Sequence, residues 1–312
     1  MSFIAIFPGQ GSQSVGMLDG LAAANDTVAR TLAEASTALG FDLAGLMANG
    51  PDEALNRTEN TQPALLAAGV ATWRAWRTAG GPEPVACAGH SLGEYTALVV
   101  AGVLDFAAAL KLVQLRGRVM QEAVPVGSGA MAAVLGLDAD TVVRVCTEAS
   151  ETGRVSAANF NAPEQIVIAG DKAAVEEASR RATATGAKRV VPLAVSAPSH
   201  CALMAPAAER LALALEEIEL HTPRIPVINN VDVAAPRDMT AIRGALIRQL
   251  TQPVRWVEVV SALKSEYGAS QGVEFGPGRV LTGLMRRIDR TLKVWPVCDA
   301  PGLDAALAAV DT

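Results

Sequence analysis

The chain has 312 residues, half of them hydrophobic and 19% charged, with a formal net charge of −6 at neutral pH. That length exceeds what one compact core absorbs, and the apolar share is ample for a large interior, so disorder is excluded and a main domain with a subsidiary one is expected. Only 4% of the residues are aromatic and no long basic run occurs, which argues against a nucleic-acid partner by removing both stacking platforms and a cationic stripe.

The stretch from Met1 to Phe7 has no basic leader region, and no uninterrupted apolar run nears the length of a membrane span. Cys87, Cys146, Cys201 and Cys298 are scattered without metal-type spacing and read as reduced thiols. The expectation is a soluble cytoplasmic protein, with neither a membrane nor a nucleic acid as partner.

Phe3-Ile4-Ala5-Ile6-Phe7 reads as a central parallel strand. It ends in Pro8-Gly9-Gln10-Gly11-Ser12-Gln13, whose glycines fit neither a phosphate loop nor a dinucleotide loop. Such a stretch is either a surface turn or a loop at the carboxyl end of a strand, where α/β sheets place their sites. Helices are predicted over 21–38 and 63–78, the second entered through Thr61-Gln62-Pro63 and stopped by Gly80-Gly81-Pro82.

Pro84–Ala88 is a short apolar strand, and Tyr95–Ala101 reads as a helix packed on it. Between them, Gly89-His90-Ser91-Leu92-Gly93 fits the G-x-S-x-G turn, which lifts a serine hydroxyl clear of the sheet. The amide of Leu92, at the helix start, can point at an anion forming on an attacked carbonyl.

A helix follows near 105–122, capped by Asp105. Arg118 has an acid four residues on and reads as a surface residue, whereas Arg116 has Leu112, Val113, Val119 and Met120 at helical spacing. A guanidinium on an apolar stripe needs a strong partner, either protein carboxylate and carbonyl groups or a substrate carboxylate held bidentately.

Pro125–Gly129 is a hinge-like break. Beyond it come a strand over 130–137, a helix capped by Asp138 or Asp140, strands over 155–159 and 165–169, a helix over 171–185 and a strand over 188–193. This β-α-β-β-α-β order is ferredoxin-like. The predicted organisation is an α/β fold: a hydrolase-like large domain with a parallel-rich sheet, residues 1–125 and 195–312, interrupted by a ferredoxin-like subdomain over 126–194.

The chain re-enters the large domain through Ser196-Ala197-Pro198-Ser199-His200. A serine needs a base, and there are three histidines. His90 adjoins Ser91 and diverges from it, and His221 reads as a surface residue, which leaves His200 as the candidate. No acid stands out as a third triad member, because Asp105, Asp138 and Asp171 each read as a helix cap. A carbonyl acceptor can orient His200 equally well. That weighs against an ordinary serine hydrolase. The remainder supplies a strand over 225–230, helices at 239–250 and after Trp256, a strand over 272–275 and a helix over 279–288.

Seven motifs now stand in order: Phe7–Gln13, Gly89–Glu94, Gln114-Leu115-Arg116-Gly117, Asn159-Phe160-Asn161, Pro198-Ser199-His200-Cys201, Gln249–Trp256 and Glu274–Gly278. Together they resemble the malonyl-CoA:acyl carrier protein transacylases, in the stand-alone form of bacterial type II fatty acid synthesis. Pro198-Ser199-His200 departs from the Phe-His commoner among acyltransferases. The resemblance implies that Ser91 is the nucleophile, His200 its base, and the Gln249 main-chain carbonyl the group orienting His200. It further implies an oxyanion hole from the Gln10 and Leu92 amides, and Arg116 as the ligand of the malonyl carboxylate. Malonyl-CoA and an acidic acyl carrier protein are the implied partners, with Lys188, Arg189, Arg279, Arg286 and Arg287 as a docking patch. It implies chemistry without metal or redox cofactor, the coenzyme A thioester being substrate; the sequence leaves oligomeric state open, with a monomer expected.

Overall fold

The computed structural model describes residues 2–194 and 197–310. Val195 and Ser196, where the return to the large domain was predicted, lie outside the described residues. In chain order the first elements are β1 (Phe3–Phe7), α1 (Asp19–Ala24), α2 (Asp26–Leu39), α3 (Leu43–Asn49), α4 (Asp52–Leu55), α5 (Thr58–Thr78), β2 (Ala86–Gly89), α6 (Gly93–Val100) and α7 (Phe106–Glu122). Next come β3 (Gly129–Leu135), α8 (Ala139–Ala149), β4 (Val155–Ala162), β5 (Gln165–Asp171), α9 (Lys172–Ala184) and β6 (Arg189–Pro192). The chain closes with α10 (Ala205–Glu216), β7 (Val227–Ile228), α11 (Met239–Gln249), α12 (Trp256–Tyr267), β8 (Gln271–Phe275), α13 (Val280–Ile288), β9 (Lys293–Val297) and α14 (Ala300–Val310).

Five strands form a parallel sheet in the order β7-β2-β1-β8-β9. β1 lies at its centre and every one of its residues is buried, which explains its unbroken apolar sequence: helices cover both faces, so neither side requires polar residues. The other four strands form an antiparallel sheet in the order β4-β5-β3-β6, with α8 and α9 packed on it. This is the ferredoxin-like arrangement read from the sequence.

The segment after α11 ties the two sheets together. Val254 donates its amide to Ala158 O and accepts from Phe160 N, both at 2.9 Å, extending the edge of β4. Glu274, at the end of β8, accepts from the amides of Leu281 and Thr282 at 2.9 and 2.7 Å, so a buried carboxylate caps the start of α13.

Several predicted boundaries shift. The helix expected over 21–38 is two helices broken at Asn25, whose side chain accepts from Thr27 N and caps the second. The helix expected from Pro63 starts at Thr58 and carries Pro63 inside it. Its first turn is fixed instead by Arg57 O, which accepts from the Asn60 and Thr61 amides, and by Thr61 Oγ1 donating to Leu55 O at 2.6 Å. The strand expected over 225–230 is only Val227–Ile228, because Asn229 and Asn230 turn away at its end. Helices α3, α4 and α14 and strand β9 were not anticipated. No helix among the described residues is long and apolar enough to cross a membrane.

Candidate active site

Three adjacent strands, β7, β2 and β1, end side by side, and the residues just beyond them form the site: Asn230, Ser91 and Gln10 respectively. Crevices at the carboxyl ends of parallel strands are where α/β sheets bind ligands.

The turn holding Ser91 demands its glycines. A Cβ on Gly89 would stand 1.8 Å from the Gly93 carbonyl carbon, and one on Gly93 would stand 2.0 Å from Phe7 O. Between these contacts Ser91 adopts a φ of 51°, a left-handed conformation rare for a residue with a side chain. Asn230 braces the turn: its Oδ1 accepts from Ser91 N at 2.7 Å and its Nδ2 donates to Gly89 O at 2.8 Å.

His200 is supplied by the segment between β6 and α10, also with positive φ. Its Nε2 lies 2.8 Å from Ser91 Oγ, and its Nδ1 donates to Gln249 O at 2.7 Å. That second bond fixes the tautomer: with the proton on Nδ1, Nε2 is left to accept from the serine hydroxyl. Gln249 is the last residue of α11, so its carbonyl is among those that a helix end leaves unpaired, at the negative pole of the helix. A carbonyl thus stands where a triad acid would.

Burial, and after it the Arg116 guanidinium, push the His200 imidazole down to about 3, against a smaller opposing effect of the Gln249 carbonyl. His200 is therefore neutral at physiological pH, the form a general base requires.

Arg116 is 1% exposed. Nη1 donates to Gln62 Oε1 at 2.8 Å, Nη2 donates to Gln249 Oε1 at 3.0 Å, and Nη2 reaches Ser91 Oγ at 3.4 Å. The Tyr95 ring packs against the guanidinium, with its centroid 5.3 Å from Cζ. Of the two partners read for Arg116 from sequence, no protein carboxylate touches it among the described residues; glutamine oxygens do. A cation held by neutral oxygens beside a nucleophile is equipped to receive an anion.

Gln10 is exposed and Leu92 is buried at the N-terminal end of α6. Among the described residues neither backbone amide is taken up by a hydrogen bond, as an oxyanion site requires. Hydrogen bonds thus bring His200, Arg116 and Gln249 together with Ser91, while Gln10 follows β1, the strand beside β2. His90 points elsewhere: its Nε2 donates to Asn161 Oδ1 at 2.7 Å and its ring packs near Trp256. His221 and Arg118 are exposed, as expected.

Sequence reasoning missed Asn230, Gln62 and the side-chain role of Gln249. Gln249 Nε2 donates to Ser91 O at 3.1 Å and to Glu94 Oε2 at 2.8 Å. The available signal was polarity in apolar surroundings, since Gln62, Asn230, Gln249 and Glu94 are all buried.

The acyl transferase domain family matches residues 4–300. The malonyl CoA-acyl carrier protein transacylase of Escherichia coli (strain K12) is 54% identical over 309 residues, 98% of either chain, and that of Bacillus subtilis (strain 168) is 43% identical over 98% of this chain and 97% of its own. Among solved structures, an acyl carrier protein S-malonyltransferase from Vibrio cholerae O1 biovar eltor superposes with a TM-score of 0.96 at 54% identity, covering 98% of this chain and 100% of that one. A malonyl-transacylase solved in complex with a type II PKS acyl-carrier protein gives 0.97 at 55% identity, covering 99% and 100%. The chain belongs to the malonyl CoA-acyl carrier protein transacylases of the acyl transferase family.

Proposed function

We propose that this protein moves the malonyl group from malonyl-CoA to the phosphopantetheine thiol of an acyl carrier protein through an ester on Ser91, supplying malonyl carrier for fatty acid elongation. The observation that carries this reading is the convergence on Ser91 Oγ of a neutral imidazole at 2.8 Å and a buried guanidinium at 3.4 Å.

Ser91 Oγ attacks the thioester carbonyl while His200 Nε2 takes the hydroxyl proton. The carbonyl electrons collapse onto oxygen, toward the amides of Gln10 and Leu92. Expulsion of the coenzyme A sulfur breaks the C–S bond, and His200 returns the proton to it. The carrier thiol then attacks the ester by the same steps in reverse, with Ser91 as leaving group. The reaction so written uses only groups of this chain. A malonyl carboxylate on Arg116 also offsets the positive field that depresses His200, so the bound substrate strengthens its own base.

For the carrier, Lys188 pairs with Glu164 at 2.9 Å, Arg287 hydrogen-bonds Gln165, and Arg189 and Arg286 are exposed next to them in sequence. Lys188 and Arg287 thus meet the β4–β5 turn, which supports that edge as part of the docking face. Arg279 precedes the other end of α13, 4.0 Å from Asp299. The proposal takes the protein to act as a monomer in the cytoplasm, beside its substrates.

The test is to acylate the enzyme with malonyl-CoA, remove free coenzyme, and add carrier bearing its phosphopantetheine arm. Malonyl on the carrier is the expected result. Free malonate released with or without carrier contradicts the reading and makes the protein a hydrolase.

A further inference from the structure

The mechanism leaves the buried carboxylate nearest Arg116 unused. Glu94 is 2% exposed, and its Oε2 accepts from Gln249 Nε2 at 2.8 Å and from Asn230 N at 2.9 Å. Arg116, also buried, has no carboxylate in contact among the described residues. Two isolated buried charges are costly, and a buried pair separated by one polar group is far less so. The Gln249 side chain is that group. Its Oε1 faces the guanidinium at 3.0 Å and its Nε2 faces the carboxylate at 2.8 Å, so the amide dipole lies head to tail between cation and anion.

We propose that Glu94 is the counter-charge of Arg116, coupled to it through the Gln249 side chain, and that it moderates the grip of Arg116 on the substrate carboxylate so that malonyl can leave as readily as it enters. This rests on the reading in which Arg116 takes that carboxylate. When malonyl occupies the site, two carboxylates share one guanidinium. Like charges on a shared partner compete, and the buried one yields by taking up a proton.

Glu94 is poised for that exchange. Burial pushes it up to about 7, opposed by the Asn230 amide, Gln249 and Arg116 in turn, while Asp232 raises it further. Tyr95, next along α6, is the other titratable neighbour, and burial pushes it up to about 12, so it stays neutral. Glu94 touches no reacting atom in this scheme and is a positioning residue.

The experiment uses the full chain with Ser91→Ala, which binds thioesters without being acylated. Calorimetric binding of malonyl-CoA and acetyl-CoA is compared with and without Glu94→Gln, from about pH 6 to about pH 8, in buffers of different ionisation enthalpy. The glutamine keeps a carbonyl oxygen able to accept both N–H groups and removes only the charge.

The expected result is that Glu94→Gln tightens malonyl-CoA about tenfold at the alkaline end, the factor that one pKa unit of coupling represents. Acetyl-CoA should change by less than about twofold under the same coupling argument, since it brings no second carboxylate. Malonyl-CoA should draw in protons near neutrality when Glu94 is present and not when it is replaced. Equal affinities and equal proton uptake in the two proteins overturn the proposal. Should Glu94→Gln not fold, absence of malonyl-specific proton uptake near neutral pH in the Ser91→Ala protein overturns it as well. A parallel Arg116→Ala protein separates the premises: malonyl-CoA binding that does not weaken there refutes the role of Arg116 itself, whatever Glu94 does.

Discussion

The Nδ1 of His200 donates to the main-chain oxygen of Gln249 at 2.7 Å, and that oxygen belongs to the last residue of helix α11. Orientation of the base therefore depends on a helix end and not on an ionisable side chain. Among the described residues no carboxylate adjoins the imidazole to hold a proton on it, and burial with Arg116 nearby keeps it neutral.

A pH signature follows. The folded His200 is lowered to about 3 from an ordinary 6.5, so the unfolded chain takes up its proton first as pH falls. Its stabilising contribution is present above the ordinary value and is lost as pH falls from there toward the folded one. Glu94 runs the other way: raised to about 7 from 4.5, it favours the folded state below the ordinary value, and that contribution is lost as pH rises through the interval. Thermal unfolding of His200→Ala between about pH 6.5 and pH 4 should show a weaker loss of stability on acidification than the parent protein. An equal slope would show that His200 is not held neutral.

Arg116→Lys should not rescue Arg116→Ala. One ammonium cannot reach Gln62 Oε1 and Gln249 Oε1 while still presenting a planar fork to a carboxylate. Both variants should lose about 100-fold or more in kcat/KM for malonyl-CoA, the scale of a charge-assisted pair. The acetyl-CoA rate should fall much less. Initial-rate acylation with the two thioesters measures this directly, and an equal loss for both would mean that Arg116 serves only the fold.

Asn230→Ala removes the acceptor for Ser91 N and the donor to Gly89 O at once. Two backbone groups are left unpaired in the turn, so a loss of about 2–4 kcal/mol in stability is expected, together with slower acylation from a looser Ser91. Denaturant unfolding and the acylation rate of the same preparation give both numbers. Unchanged stability would show that Asn230 does not brace the turn.

Gly93→Ala places a methyl 2.0 Å from the Phe7 carbonyl oxygen, between two stretches of backbone with no side chain to yield. The variant should lose at least about 4 kcal/mol of stability, in the range reserved for severe core strain. Urea unfolding checks it, and a loss under about 1 kcal/mol would contradict so close a contact.

Much of this was legible before the structure. An all-apolar strand, a G-x-S-x-G turn and a β-α-β-β-α-β run each carry a local signal, and each maps to an element found here. Arg116 was legible because a cation on an apolar stripe is conspicuous. What escaped depends on contacts far apart in the chain: Asn230 reaches Ser91 across 139 positions, and Gln249 reaches it across 158. Nothing next to Asn230 in sequence says that it will lie beneath a serine, since only the neighbouring of β7 and β2 in the sheet puts it there. Pro63 misled for a related reason. A proline usually opens a helix, but Arg57 and Thr61 fix the first turn of α5 ahead of it.

The covalent intermediate is the most direct test of Ser91 as nucleophile and Arg116 as carboxylate ligand. Intact mass should be recorded after brief exposure to malonyl-CoA for the parent protein, Ser91→Ala and Arg116→Ala, with acetyl-CoA as control. The account predicts one malonyl adduct on the parent, none on Ser91→Ala, a strongly reduced one on Arg116→Ala, and loss of the adduct when carrier protein is added. An adduct that persists in Ser91→Ala, or a parent protein that never carries one while malonyl still reaches the carrier, would contradict it.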